Sequence, residues 1–96
     1  MDYVNKISEL SRACLSVKDF ERVQKWLKTR DLLSIKEIVT SEFIKFKAKR
    51  PKTEEEQVIY DEKDADFTSL ESTIIEYLKL NNYSEEDYNL PTDEEY

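Results

Sequence analysis

The segment SIKEIVTSEFIKFKAKR, residues 34–50, decides the predicted fold of this chain. Its apolar side chains recur every three to four residues, which is the period of an α-helix with one buried face. They are Ile35, Ile38, Val39, Phe43 and Phe46. Ser34 and Glu37 have the spacing of a capping box, so a helix is predicted over about 35–50. Residues 44–49 also alternate like a strand, but the chain offers no clear partner strand.

Two shorter helices are predicted before this segment, each behind a residue type that favours the N-cap position. The first spans about 3–15 and follows Asp2, and its apolar residues fall on one stripe. The second spans about 17–30 and follows Ser16. The link between them is so short that the two helices should pack as a hairpin or a corner.

Two more helices are predicted after Pro51, which ends the central helix. A short one spans about 54–63, where a threonine–glutamate capping box precedes an acidic first turn. Residues 61–66, DEKDAD, are almost wholly polar and predict a break. A second capping box, from Thr68 to Glu71, then begins a helix over about 68–81. Asn81 and Asn82 form a suitable stop, because asparagine tolerates the left-handed conformation.

The predicted fold is therefore all-α: a small bundle of three to four amphipathic helices over residues 1–82, with an acidic, extended tail over residues 83–96. The absence of glycine from the sequence disfavours tight hairpins and glycine-rich phosphate loops. Pro91 and the acidic charge favour an extended tail. The predicted core consists of Ile7, Leu10, Phe20, Val23, Leu27, Ile35, Ile38, Val39, Phe43, Leu70, Ile74 and Leu78.

Charge is divided sharply between the two halves of the chain. Residues 1–52 carry 13 Lys and Arg against 7 Asp and Glu, a net +6, whereas residues 53–96 carry 2 against 15, a net −13. The sum is the −7 of the whole chain. Halves of opposite sign attract each other over roughly 8–10 Å, one Debye length at physiological salt. That attraction can act within one chain or head to tail between chains; the other interpretation is that each run is only a solvated face.

The residues needed for most catalytic and metal sites are missing from the sequence. There is no histidine, and the single cysteine, Cys14, lies on the apolar stripe of the first helix and is predicted to be a buried thiol. A calcium-binding EF-hand loop from Asp61 would need a glycine at 66 and a glutamate at 72, where the chain has Asp66 and Ser72. No catalytic, cofactor-binding or metal-ligating residue is proposed, and the chain is predicted not to be an enzyme.

A compact basic patch ends the central helix. Its members are Lys45, Lys47, Lys49, Arg50 and Lys52. Such a patch near aromatic residues can bind nucleic acid. Here 15 acids in the second half of the same small domain would repel phosphate, so nucleic-acid binding is disfavoured. The acidic half suggests the opposite function, an inhibitor that imitates the charge of DNA and blocks a host nucleic-acid-binding protein.

Self-association is predicted because a chain of this size buries only a limited core. The expected state is a homodimer. Trp26 and Phe46 are candidate interface anchors, since large aromatic residues often dominate interfaces, although both also fit as ordinary core residues. The tail is predicted to dock on a basic surface of a partner or of a second copy, and the basic patch is one such surface. The tail residues proposed for this contact are Tyr83, Glu85, Glu86, Asp87 and Tyr88.

The run RDLLSIKEIV, residues 30–39, resembles a pattern in short proteins of tailed phages, especially the crAss-like phages. It contains no catalytic signature and transfers no functional residues. Small proteins of such phages are often virion accessories, such as head-decorating or fibre components, and the resemblance implies that class.

The sequence therefore predicts a non-enzymatic structural or interaction protein, namely a self-associating phage virion accessory that docks on other virion proteins. The alternative is the acidic inhibitor described above. No stretch approaches the ~20 apolar residues that span a bilayer, and nothing at the N-terminus resembles a signal peptide. The chain is expected to be assembled into the virion in the host cytoplasm, with no membrane partner.

Overall fold

The computed structural model describes residues 2–88, which form four long helices and one short one. No strand occurs along that stretch, so the prediction of an all-α bundle is confirmed. Residues 89–96 of the predicted tail lie outside the described residues. The helices are α1, Tyr3–Cys14; α2, Val17–Thr29; α3, Leu32–Ala48; α4, Glu54–Leu80; and α5, Glu85–Tyr88.

The four long helices form a bundle in which each one packs against two others. α4 lies against α1 and α3, and α2 completes the ring by packing against the same two helices. α4 runs antiparallel to both of its neighbours. Tyr3, at the start of α1, stacks on Tyr77, and Phe43, near the end of α3, stacks on Phe67. At about 1.5 Å per residue, the 27 residues of α4 span roughly 40 Å, which is close to the 43 Å longest dimension of the protein.

Three of the predicted helix starts are confirmed, and each has a capping side chain. Asp2, Ser16 and Thr53 each accept a hydrogen bond from the backbone N–H three residues later, over 3.1, 3.3 and 3.1 Å respectively. Each bond satisfies an N–H group that the first turn of a helix leaves without an intrahelical partner. α1 and α2 also end within one residue of the predicted positions.

The start of α3 differs from the sequence prediction. The helix begins at Leu32 rather than near residue 35, because Asp31 and not Ser34 is its N-cap. The Asp31 carboxylate accepts hydrogen bonds from the Ser34 backbone N–H over 3.3 Å and from the Ser34 hydroxyl over 2.8 Å. A carboxylate suits the positive end of the helix dipole, and the earlier start lets Leu32 enter the core.

The predicted break in residues 61–66 is wrong, because α4 is one continuous helix. The polar run stays helical since it lies largely on the surface, where Asp61 accepts a hydrogen bond from the Gln57 side chain over 2.8 Å, one turn away. Thr68 does not cap a new helix. Its hydroxyl donates to the Asp64 carbonyl over 2.9 Å, so the residue lies inside α4.

After α4 the chain reverses through a Schellman motif. Asn82 has a φ of 68°, the left-handed conformation, and the Tyr83 N–H donates to the Leu78 carbonyl over 3.0 Å. The predicted stop at this point is confirmed. α5 then packs against α3 and buries Tyr88. Residues 83–88, the first part of the predicted extended tail, are therefore folded onto the bundle.

Most of the predicted core is confirmed. The predicted residues that are buried are Ile7, Val23, Ile35, Val39, Phe43, Leu70, Ile74 and Leu78. The predicted residues that are only half-buried are Leu10, Phe20, Leu27 and Ile38. The structure adds Leu32, Phe67 and Tyr88 to the core and buries Cys14 as predicted.

The link between α2 and α3 contains a strained residue. Arg30 has a φ of 63°, a backbone conformation that costs a residue with a Cβ atom about 1–2 kcal/mol.

Arg30→Gly is expected to raise the free energy of unfolding by about 0.5–1 kcal/mol, because glycine removes the clash but loses more entropy on folding. Urea denaturation followed by far-UV circular dichroism measures the change. The control, Lys28→Gly in the last turn of α2, should instead lower the free energy by up to about 1 kcal/mol; the same sign in both variants would contradict the assignment of strain.

Candidate protein-interaction surface

Two exposed patches of opposite charge meet at the connection between α3 and α4. The basic patch predicted from the sequence is exposed at all five of its residues. A second patch, here named the acidic patch, lies on the first turns of α4. Its exposed members are Glu54, Glu55, Glu56, Asp61 and Glu62. Each sign suits its position, because cations are favourable at the C-terminal end of α3 and anions at the N-terminal end of α4.

The two patches are not joined by any side-chain ion pair within residues 2–88. Lys45 pairs instead with Glu42 of its own helix, over 3.1 Å. The Glu56 carboxylate accepts a hydrogen bond from the Lys52 backbone N–H over 2.9 Å, so this contact does not use the Lys52 ammonium group. The Lys47 ammonium lies 4.1 Å from the centre of the Phe43 ring. Apart from Lys45 and Lys47, the charges of the basic patch are exposed to solvent, as are those of the acidic patch.

Exposed aliphatic side chains accompany both patches. Ile44 lies beside the basic patch and is 56% exposed, whereas Val58 and Ile59 lie within the acidic patch and are 58% and 65% exposed. Ile59 is two helical turns before Asp66, so the two residues share one flank of α4. Tyr3 stacks on Tyr77 and the two helices are antiparallel, so Cys14, the last residue of α1, lies near the level of Asp66. α1 therefore ends before it reaches Ile59, and this flank of α4 is left uncovered.

The two candidate interface anchors are both half-buried within the bundle. The Phe46 ring stacks on Tyr60 with 4.6 Å between ring centres and lies 5.3 Å from the Phe67 ring. These contacts join α3 to α4 and occupy much of the Phe46 surface. Trp26 packs against the core from α2. Both residues thus contribute to the packing of their own chain.

The tail residues proposed for partner binding divide into two groups. Tyr88 is 8% exposed and Tyr83 is half-buried, so both rings pack against the bundle. Glu85, Glu86 and Asp87 are exposed on α5. Asp87 also accepts a hydrogen bond from the Ser84 backbone N–H over 2.8 Å, which helps to form the short helix. The acids of α5 therefore lie at the surface, and the two tyrosines pack this segment against the bundle.

A polar network crosses the interface between α3 and α4. The Lys36 ammonium donates to the Thr40 hydroxyl over 2.8 Å, and that hydroxyl donates to the Glu71 carboxylate over 2.9 Å. Lys36 also lies 3.8 Å from the same carboxylate oxygen and is 8% exposed. Burial of a cation is costly unless it is paired. The network therefore holds Lys36 in a stable, charge-matched position.

The side chains of the described residues do not have the arrangement of a metal site or of an activated serine. Residues 2–88 contain no group of three or more His, Cys, Asp or Glu placed to hold a metal ion. The Ser11 hydroxyl is fully buried and makes no hydrogen bond within that stretch. A serine nucleophile needs a neighbouring base, so Ser11 does not have the surroundings of an activated nucleophile.

Cys14 is expected to be unreactive in the folded protein. Burial, aided by the negative charge of Asp66 and opposed by Lys63, raises the pKa of its thiol from 9.0 to about 11. The thiolate is the reactive form, so modification by a disulfide reagent at pH 8 should be about 100-fold slower in the folded chain than in urea. Equal rates would show that the thiol is accessible and easily ionised.

The same shift gives the protein a pH dependence with a defined sign. In the unfolded chain the Cys14 thiol loses its proton near pH 9.0, whereas in the folded chain it keeps the proton until about pH 11. The folded state then binds more protons than the unfolded state, so stability falls as the pH rises from 9 to 11. Cys14→Ala removes the thiol, so the free energy of unfolding should fall less between pH 9 and pH 11 than it does in the unsubstituted chain.

Ile44 and Ile59 are the surface residues that sequence reasoning missed. A signal for Ile44 exists, because it lies off the apolar stripe of its own helix. Ile59 gives no such signal, since its exposure depends on where α1 ends in space.

No helix of the described residues is both long and apolar enough to cross a membrane. Comparison of the chain with known protein families, curated proteins and solved structures finds no match.

Proposed function

We propose that this chain is a non-enzymatic structural protein that self-associates as a homodimer and docks on other proteins of a phage virion, as a head-decorating or fibre accessory. The observation that carries the proposal is the group of exposed aliphatic residues around the α3–α4 connection. Ile44, Val58 and Ile59 are each more than half exposed. Single exposed apolar residues are common, but Val58 and Ile59 are adjacent in the chain, and apolar residues surrounded by polar ones are typical of interaction surfaces.

The virion setting is supported by the resemblance of residues 30–39 to short proteins of tailed phages. That stretch forms the α2–α3 link and the first half of α3. It lies at the opposite end of α3 from the basic patch. The resemblance therefore supports the class of protein, and the patches supply the surface that such a protein would use.

Mass measurement tests self-association directly. Sedimentation equilibrium of the full chain over a micromolar concentration series should give a mass above the 11.5 kDa of one chain. A mass of one chain at every concentration would contradict the homodimer. The virion role is tested separately: the chain should co-purify with assembled particles in fixed stoichiometry, and its absence from them would overturn that role.

The acidic inhibitor remains the alternative, and one observation favours it. The acidic patch and the acids of α5 are exposed, and no cation of residues 2–88 forms an ion pair with the acidic patch. An inhibitor should be absent from particles and should compete with duplex DNA for a basic DNA-binding domain, with a competition that weakens as salt rises. A chain that co-purifies with particles and does not compete would reject this alternative.

A further inference from the structure

We propose that the acidic patch of one copy binds the basic patch of a second copy, with Ile59 of the first against Ile44 of the second. This inference rests on the proposed self-association and adds to it the two surfaces that meet. The surfaces are complementary in charge. Residues 41–52 carry five cations and one acid, a net +4, whereas residues 54–66 carry seven acids and one cation, a net −6.

The distribution of ion pairs favours contact between copies over contact within one. The two patches are adjacent in the chain, yet no ion pair of residues 2–88 connects them. Within the fold, α3 and α4 are held together by the aromatic stack of Phe46, Tyr60 and Phe67 and by the Lys36 network instead. The opposite charges are thus available to a second molecule.

The uncovered flank of α4 supplies the apolar part of the contact. Ile59 lies where α1 no longer covers α4, and Glu55 and Glu62 flank it one turn to either side. Its best partner is an aliphatic residue among cations, and Ile44 beside Lys45 and the rest of the basic patch has that character. Burial of two such side chains contributes apolar area, while the surrounding charges select the partner.

Contact between like surfaces is disfavoured by the same charges. A two-fold contact of Ile59 on Ile59 would bring two segments of net −6 together, and a contact of Ile44 on Ile44 would bring two segments of net +4 together. Like charges placed opposite each other across an interface oppose binding. The contact therefore joins two different surfaces and occurs twice in a two-fold dimer, once in each direction.

Two variants of the full chain test this pairing. Ile59→Lys places a cation on the acidic surface and Ile44→Asp places an anion on the basic surface, so each opposes its partner surface and should raise the dissociation constant by about 100-fold. Leu80→Lys is the matched control for Ile59→Lys, because Leu80 is 64% exposed, almost the same as the 65% of Ile59, but lies at the other end of α4. It should leave the dissociation constant unchanged. Far-UV circular dichroism and the urea midpoint check that each variant folds.

A mixing experiment gives the decisive result. An equimolar mixture of the Ile59→Lys and Ile44→Asp chains retains one intact contact per pair, so it should associate more tightly than either variant alone. Failure of the mixture to do so, or a loss of association in only one of the variants, would overturn the unlike pairing while self-association itself stands. If the unsubstituted chain is a monomer at every concentration, the proposed homodimer fails and this inference fails with it.

Discussion

Phe67→Ala is expected to lower the free energy of unfolding by about 3–5 kcal/mol. Phe67 is 1% exposed, and its ring lies 5.0 Å from Phe43 and 5.3 Å from Phe46. Truncation would remove the buried ring and leave a cavity at the centre of the aromatic stack that joins α3 to α4. Because a domain of this size has about 5–14 kcal/mol of stability, the loss is a large part of the total.

The measurement is urea denaturation at equilibrium, and a second variant keeps it informative if Phe67→Ala does not fold. Phe67→Leu retains most of the volume and should cost about 1–2 kcal/mol. Leu80→Ala, on the same helix but 64% exposed, serves as the control and should change the free energy by less than about 0.5 kcal/mol. A cost for Phe67→Ala as small as that of the control would mean that the aromatic stack does not support the bundle.

Glu71→Leu is expected to lower the free energy of unfolding by about 2–3 kcal/mol, because it leaves the Lys36 ammonium buried without its carboxylate. This loss of free energy lies at or below the lower end of the range that is typical for breaking a buried ion pair. The reason is that the Glu71 side chain is 28% exposed and the ion-pair distance is 3.8 Å. Thr40 would also lose the acceptor of its hydroxyl, which is 2.9 Å from Glu71 in the native network.

Adding Lys36→Met to Glu71→Leu should restore most of this stability, because the unpaired charge is then removed. The Thr40 hydroxyl can donate to the backbone carbonyl one turn earlier. A double-mutant cycle gives the coupling between the two side chains. If the double variant is as unstable as Glu71→Leu alone, the buried cation is not the cause of the loss.

Glu42→Leu is the matched control for Glu71→Leu. The Glu42 side chain is also 28% exposed and also pairs with a lysine, but the side chain of that lysine, Lys45, is 71% exposed. The Lys36 side chain is only 10% exposed. Loss of an exposed ion pair changes stability by roughly 0–1 kcal/mol, so the difference between the two glutamate variants isolates the effect of partner burial.

Local signals in the sequence were sufficient for three of the helix starts and for most of the core. Asp2, Ser16 and Thr53 cap their helices because an N-cap needs only a side-chain oxygen that reaches the N–H of a residue three positions along. Asn82 ends α4 for a similarly local reason, its tolerance of a positive φ. Such contacts lie within one turn of chain and can be predicted from neighbouring residues.

The same local rules gave wrong answers where two signals competed. Asp31 and Ser34 are both suitable N-caps, and the earlier one is used because it brings Leu32 into the core. Thr68 has the spacing of a capping box, but its hydroxyl bonds back to Asp64 inside α4. In α4 the polar run of residues 61–66 gave a false break, since the packing of Tyr60 and Phe67 on either side of it holds the run in the helix.

The sequence by itself determined the helical class, most caps and the separation of charge, because each depends on residue type and spacing along the chain. Only the tertiary structure decided which of these features are buried and which face solvent. Phe67 is buried since α3 places Phe43 and Phe46 against it, and Ile59 is exposed since α1 ends before it. Burial depends on contacts between residues far apart in sequence, and no local pattern records them.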